Sequence, residues 1–176
     1  AMCSEASPSA ATNSLKPAAH IDDVDIVLFQ YAICPFCNKV KAVLDFYGLR
    51  YRTVEVNPIN KAELKDTSVL QTDYRKVPVA TINGEVIVDS PVILRRVLDL
   101  LEDNGIATVA HGDDDGISSE WIQWVDKSLA VLLFPNITRN FSESWQAFGY
   151  ISDVDSFSAM QRGLNRVLGP VAMWAA

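Results

Sequence analysis

Three cysteines and two histidines are all this chain of 176 residues contains of either type. So few cysteines cannot staple a disulfide scaffold. Cys3 stands in a Ser, Ala, Pro and Thr tail, so only Cys34 and Cys37 are spaced to act together. There is no second CxxC, and His20 lies in the tail while His111 lies in an acidic stretch, so a closed tetrahedral zinc site lacks a natural ligand set. No basic stripe is visible. With 15 Lys and Arg against 22 Asp and Glu, net charge −7, the composition argues against nucleic-acid partners. No apolar run approaches the roughly 20 residues that cross a bilayer. Leu129–Phe134 is stopped by Pro135, and Val171–Ala176 is short. The chain as given reads as soluble, and no internal repeat is present.

What is present is a core. Hydrophobic residues make up 49% of the chain and charged residues 21%, enough for one large or two small folded units. Ala1-Met2 reads as an expression scar, and the Ser/Ala/Thr-rich stretch to about Lys16 as a transit remnant or linker. Residues 1–24 are therefore expected to be a disordered tail.

Asp25–Tyr31 is a continuous apolar run without helical spacing, the pattern of a strand covered on both faces. From Pro35, the residues Phe36, Val40, Val43, Leu44 and Tyr47 fall on one helical face, and Gly48 ends the run. Tyr51–Val56 predicts a second strand and Asn60–Lys65 a short helix. Val77–Ile82 and Glu85–Val88 flank Asn83-Gly84, a hairpin signal. Asp89-Ser90-Pro91 then opens a helix carrying Ile93, Leu94, Val97, Leu98 and Leu101. The order is β-α-β-α-β-β-α over 25–101.

Residues 102–117 read as a polar, acidic linker. Beyond it the period is helical through 176: Ser118 or Ser119 caps a helix ending at Pro135, a short helix surrounds Ser144–Phe148, and Ser158 with Gln161 forms a capping box for the last. That helix ends without a cap, which suggests a truncated chain.

For the cysteine pair three readings stand: a metal clip, two small core residues, or a working thiol. The last has a mechanism. A cysteine at the first turn of a helix faces unpaired N–H groups and the positive dipole end, which favour the thiolate. Cys34 holds that position, Pro35 starts the helix, and Cys37 on the same turn can resolve a mixed disulfide formed at Cys34. Val77-Pro78 stands just before a strand. In thioredoxin-like folds such a proline is cis and the preceding backbone pairs with an extended peptide; an ordinary trans proline at a strand entrance is the alternative. Asp89-Ser90 offers a carboxylate, a hydroxyl and free N–H groups, suited to capping and to an amino-acid head group. Together these elements suggest a tripeptide thiol.

Cys34-Pro-Phe-Cys37, Val77-Pro78 and Asp89-Ser90 resemble the thioredoxin-like half of glutaredoxins and glutathione S-transferases. The strings "CPFCNKVKAVLDF", "VEVNPI", "YRKVP", "VDSPVI", "WVDKSLAVLLFPNITRNFSES" and "GPVAMW" resemble, within that superfamily, the membrane-associated type-2 prostaglandin E synthases and their plant-like relatives. The resemblance implies an α/β thioredoxin-like fold followed by an all-α region of glutathione-transferase type over 118–176. It implies a glutathione-dependent transferase, isomerase or glutaredoxin-like oxidoreductase. Glutathione would be bound by the Val77 backbone beside Pro78 and by Asp89 and Ser90, with its sulfur near Cys34. Tyr31, Cys34 and Phe36 would line the pocket for a hydrophobic electrophile or endoperoxide, with Cys34, Cys37 and Tyr31 as the catalytic group. Haem held through the glutathione sulfur, homodimers, and an intracellular, organellar or membrane-associated setting through a segment outside this chain are further family expectations. A glutathione or haem carrier without turnover, and a CxxC redox switch, are the competing functions.

Other features carry less. Asn136-Ile-Thr138 and Asn140-Phe-Ser142 match glycosylation sequons, which arise often by chance. Trp121, Trp124, Trp145 and Trp174 read as core or pocket lining. Asp113-Asp114-Asp115-Gly116 lacks calcium-loop spacing. Lys39, Lys41, Arg75 and Lys76 are candidates to favour a thiolate or the carboxylates of glutathione.

Overall fold

The computed structural model describes residues 24–65, 70, 72–106 and 117–175. Strand β1 (Ile26–Gln30) is buried along almost its whole length because it is central: the sheet order is β2-β1-β3-β4, with β2 (Arg52–Glu55), β3 (Val79–Ile82) and β4 (Glu85–Val88). β1 pairs parallel with β2 and antiparallel with β3, and β3 pairs antiparallel with β4. Parallel pairing of β1 with β2 needs a crossover, and α1 (Pro35–Phe46) supplies it. The β3–β4 hairpin turns at Asn83 and Gly84, both at positive φ, as a two-residue turn of the favoured hand requires.

Alternation along β1 divides the core. Ile26 and Leu28 face α1 and α2 (Ser90–Asp103), where Val40, Leu44, Ile93 and Val97 are also buried. Phe29 faces the other way, into a cluster with Val56, Leu64, Leu70 and Val79. The helix expected over Asn60–Lys65 is a single 3-10 turn, Ala62–Leu64, which brings Leu64 into that second cluster.

The helical region starts with α3 (Ile117–Trp124), runs through a π-helical turn at Val125–Leu129 and continues as α4 (Ala130–Ile137). Ser118 and Ser119 thus stand inside the first turn of α3 rather than ahead of it. Pro135 does not end α4, which extends to Ile137; the Leu132 carbonyl accepts from Asn136 Nδ2 at 2.7 Å. Proline removes one donor, and so close to the helix end that loss interrupts little. Next come α5 (Phe141–Ala147), a 3-10 segment at Phe148–Asp153, and α6 (Ala159–Ala175). Asn140, met in the sequence only as a sequon, caps α5 by accepting from Glu143 N–H at 3.0 Å. The Ser158–Gln161 capping box is reciprocal, at 2.8 and 3.2 Å.

Trp121 and Trp124 are not core: they are 61% and 48% exposed, edge to face with each other at 5.8 Å. Their helical spacing puts them on one face, and that face is turned away from the sheet's core. Trp145 is stacked under the Arg166 guanidinium at 4.2 Å. The Trp174 side chain, His20, His111, Cys3 and the Asp113–Gly116 run lie outside what is described. Among the described residues no helix is long and apolar enough to cross a membrane.

Candidate functional site

One row of paired residues organises the site. Phe29 of β1 pairs with Val79 of β3, and Val79 pairs with Val88 of β4. Because β3 runs against both neighbours, three chain segments leave the same edge of this row: the turn Tyr31–Cys34 after β1, Val77-Pro78 before β3, and Asp89-Ser90 after β4. Topology therefore gathers Tyr31, Cys34, Phe36, Cys37, Val77, Pro78, Asp89 and Ser90, far apart in sequence, at one end of the sheet.

Cys34 is the N-cap of α1, with extended backbone (φ −74°, ψ 121°) and Pro35 at the first helical position. Its N–H closes the preceding turn on the Tyr31 carbonyl at 3.0 Å, and its own carbonyl accepts the first helical bond from Asn38 at 2.9 Å. Both thiols are free and buried; Cys34 keeps 6% exposure and Cys37 none. The Cys34 thiol is lowered to about 7, first by a hydrogen bond from the Cys37 side chain, then, against the cost of burial, by the N–H groups of Cys37 and Phe36 and the charge of Lys41. Cys37 moves the other way, well above the usual thiol range, because it supplies the proton of that bond and is itself buried. The pair is polarised: its surroundings favour the thiolate at Cys34 and the thiol at Cys37.

Two of the other basic candidates, Lys39 and Arg75, are engaged elsewhere. Lys39 bridges both carboxylate oxygens of Asp126 at 2.7 and 2.9 Å and stands 6.0 Å from the Phe36 ring centroid. Arg75 donates to the carbonyls of Leu64, Thr72 and Tyr74. Of the four, Lys41 is the one whose charge reaches the thiol.

The Val77-Pro78 bond is cis. Asp89 caps α2 with φ +74°, accepting from Ser90 N–H at 3.0 Å, and remains exposed while Ser90 is buried. Tyr74, which the sequence did not single out, lies within electrostatic reach of both Asp89 and Cys34, and with burial as the larger cause its phenol is pushed upward.

Comparison with known proteins agrees with the fold. Residues 28–105 match the glutathione S-transferase N-terminal domain. Prostaglandin E synthase 2 of Danio rerio is 30% identical over 86% of this chain and 50% of its own length, and that of Mus musculus 29% over 87% and 50%. The chain belongs to the glutathione S-transferase superfamily. It is similar there to prostaglandin E synthase 2, and spans about half the length of these curated relatives. A rice glutathione S-transferase solved in complex with glutathione shares the fold, with TM-score 0.53 and 19% identity over 76% of this chain and 62% of that one.

Within this superfamily member two further residues meet at the cysteine turn. Glu55, at the end of β2, accepts from Ala32 N–H at 2.8 Å and from Gln30 Nε2 at 3.2 Å. Tyr150, from the 3-10 segment of the helical region, lies within electrostatic reach of the same carboxylate, and its phenol is raised first by burial and then by Glu55. Burial is the main cause that raises Glu55, and it pushes Tyr31 to about 12, with the cysteines adding to the latter. The only sequence signal for Glu55 was a charged residue inside a β-branched run, and Tyr150 had none.

A concavity of about 650 Å³ opens on the sheet face opposite α1, lined by Val27, Phe29, Arg52, Val54, Glu63 and Thr81 among others.

Proposed function

We propose that this chain carries a glutathione-dependent thiol site, with Cys34 as the reacting sulfur. The observation that carries the reading is the polarised Cys34–Cys37 pair on the first turn of α1, at the sheet edge shared with cis-Pro78 and Asp89-Ser90. Val77 would pair through its backbone with the extended tripeptide. Asp89 and the α2 N-terminus would take the γ-glutamyl end, whose ammonium and carboxylate match a carboxylate beside free N–H groups.

In thiol exchange, the Cys34 thiolate attacks one sulfur of a glutathione mixed disulfide. A Cys34–glutathione S–S bond forms as the old S–S bond breaks, and the other half leaves as a thiolate. A second glutathione thiolate then attacks the bound glutathione sulfur and returns Cys34 as thiolate. Alternatively Cys37, once its proton has passed to the departing thiolate, attacks the Cys34 sulfur: a Cys34–Cys37 disulfide forms as the Cys34–glutathione S–S bond breaks, and glutathione leaves as thiolate. No electrons are lost or gained beyond those of the two disulfides exchanged. For transferase or isomerase chemistry the same positive surroundings would hold glutathione itself as thiolate, and the second substrate would be a hydrophobic electrophile or peroxide.

The test is iodoacetamide alkylation of Cys34 against pH, read peptide by peptide by mass spectrometry, with and without glutathione. Half-maximal reaction near pH 7 together with protection by glutathione is expected. An ordinary thiol profile with no protection would remove the reading.

A further inference from the structure

The turn that delivers Cys34 is held from two sides, and one of them is the helical region. Ala32 and Ile33 are the central residues of the turn closed by Cys34 N–H on the Tyr31 carbonyl. The Ala32 N–H is bound to Glu55 Oε1 at 2.8 Å. The Ile33 side chain packs against Phe148, Ile151 and Phe157, the buried cluster of the helical region, to which Tyr150 also belongs. Tyr150, packed like Ile33 against that cluster, lies within electrostatic reach of Glu55. Gln30, buried at the end of β1, donates to the other carboxylate oxygen, Oε2, at 3.2 Å. One carboxylate thus accepts from the strand before the turn and from the turn itself, while the helical region packs on the turn through Ile33 and brings the Tyr150 phenol near the same carboxylate.

We propose that Glu55 is a positioning residue for Cys34, and that through Tyr150 the helical region sets where the Tyr31–Cys34 turn presents the sulfur to the α1 N-terminus. This rests on the reading of Cys34 as the reacting thiol. The physical reason is short range. The groups that stabilise the thiolate are N–H donors at the helix start, whose effect falls away within the first turn. A turn released from Ala32 lets the Cys34 sulfur drift from those donors. An alternative, that Glu55 acts on the thiol by its charge, makes the opposite prediction, since deleting a negative charge would favour the thiolate. The groups acting electrostatically around the thiol are Cys37 and Lys41 on α1, Tyr31 in the turn, Tyr74 before β3 and Tyr150. None changes charge in the decisive variant, Tyr150→Phe.

The experiment compares the pH profile of Cys34 alkylation by iodoacetamide in the full chain, in Tyr150→Phe, in Glu55→Gln and in Asp126→Asn. The last breaks a separate contact between the two regions, Lys39 with Asp126, without touching the turn. Thermal unfolding is followed for each. In Tyr150→Phe and Glu55→Gln the apparent pKa should rise by about 0.5 to 1 unit, lowering reaction below pH 7 by roughly three- to ten-fold. Asp126→Asn should lower the melting temperature and leave the profile in place. An unchanged profile in Tyr150→Phe, a fall in pKa in Glu55→Gln, or an equal rise in Asp126→Asn would each overturn the proposal. If the unaltered chain itself shows an ordinary thiol, it is the functional reading that fails.

Discussion

The Cys37 side chain, on the helical turn next to Cys34, is the largest single cause that lowers the Cys34 thiol, and Cys37 is itself raised in return. Replacing Cys37 should cost Cys34 its acidity. In Cys37→Ala the apparent pKa of Cys34 should move up from about 7 toward its ordinary value, by about 1 unit, since Cys37 is the largest cause of the shift. Alkylation rate against pH measures it. A profile unchanged from the parent would mean that the helix N-terminus alone accounts for the thiolate.

The same pair makes stability depend on pH. Cys34 is depressed from 9.0 to about 7 in the folded chain, so its contribution is complete above the unfolded value and is lost as pH falls through about 7. Cys37 is raised, so its contribution is complete below 9.0 and is lost above it. The reduced chain should therefore gain stability from pH 7 to 9 and lose it beyond, as the unfolded state binds more protons and then fewer. Urea unfolding at stepped pH under reductant measures the trend, and Cys34→Ser should flatten the rising limb.

Gly169 offers a test in which two effects oppose. Glycine inside a helix ordinarily costs about 1 kcal/mol relative to alanine, so Gly169→Ala in α6 would be expected to stabilise. A methyl there would sit on the ring of Phe148, which is buried in the helical cluster and cannot swing into solvent. Overpacking of this kind costs roughly 1–3 kcal/mol, so the net change should be a lower melting temperature. An increase would show that the Phe148 ring has room to move.

Asp89 combines backbone and side-chain roles that Asp89→Gly separates. Its φ of +74° suits glycine, and a glycine cap loses only a few tenths of a kcal/mol relative to aspartate. The melting temperature should hold nearly constant while the glutathione concentration that protects Cys34 rises by about tenfold, the cost of one charge-assisted contact of about 1.4 kcal/mol. Unchanged protection would remove Asp89 from the glutathione site.

Local physics was legible before the fold was known. The helix that begins at Pro35, the Asn83-Gly84 hairpin, the Asp89 cap and the Ser158–Gln161 capping box follow from residue types within a few positions of one another, because periodicity and capping act over one or two turns. For the same reason the helix starting at Cys34 carried the thiolate argument. The short helix after Pro58 shrank to one 3-10 turn because Leu64 is needed in the core under β1, a demand that comes from across the sheet.

Contacts between distant segments came only with tertiary structure. No spacing rule joins Lys39 to Asp126 or Glu55 to Tyr150, and a lysine and a glutamate on amphipathic elements read equally well as solvated. The tryptophans show the converse: helical spacing states that Trp121 and Trp124 share a face, but that this face is left exposed is decided only by the tertiary structure. The sequence by itself determined the thioredoxin-like order of elements and the polar chemistry at the first turn of α1. Only the assembled sheet, with β3 antiparallel between β1 and β4, brought Cys34, Pro78 and Asp89 to one edge and let a carboxylate on β2 and the apolar cluster of the helical region hold the same turn, because chain topology, unlike helical period, is set by the burial of both faces of the sheet at once.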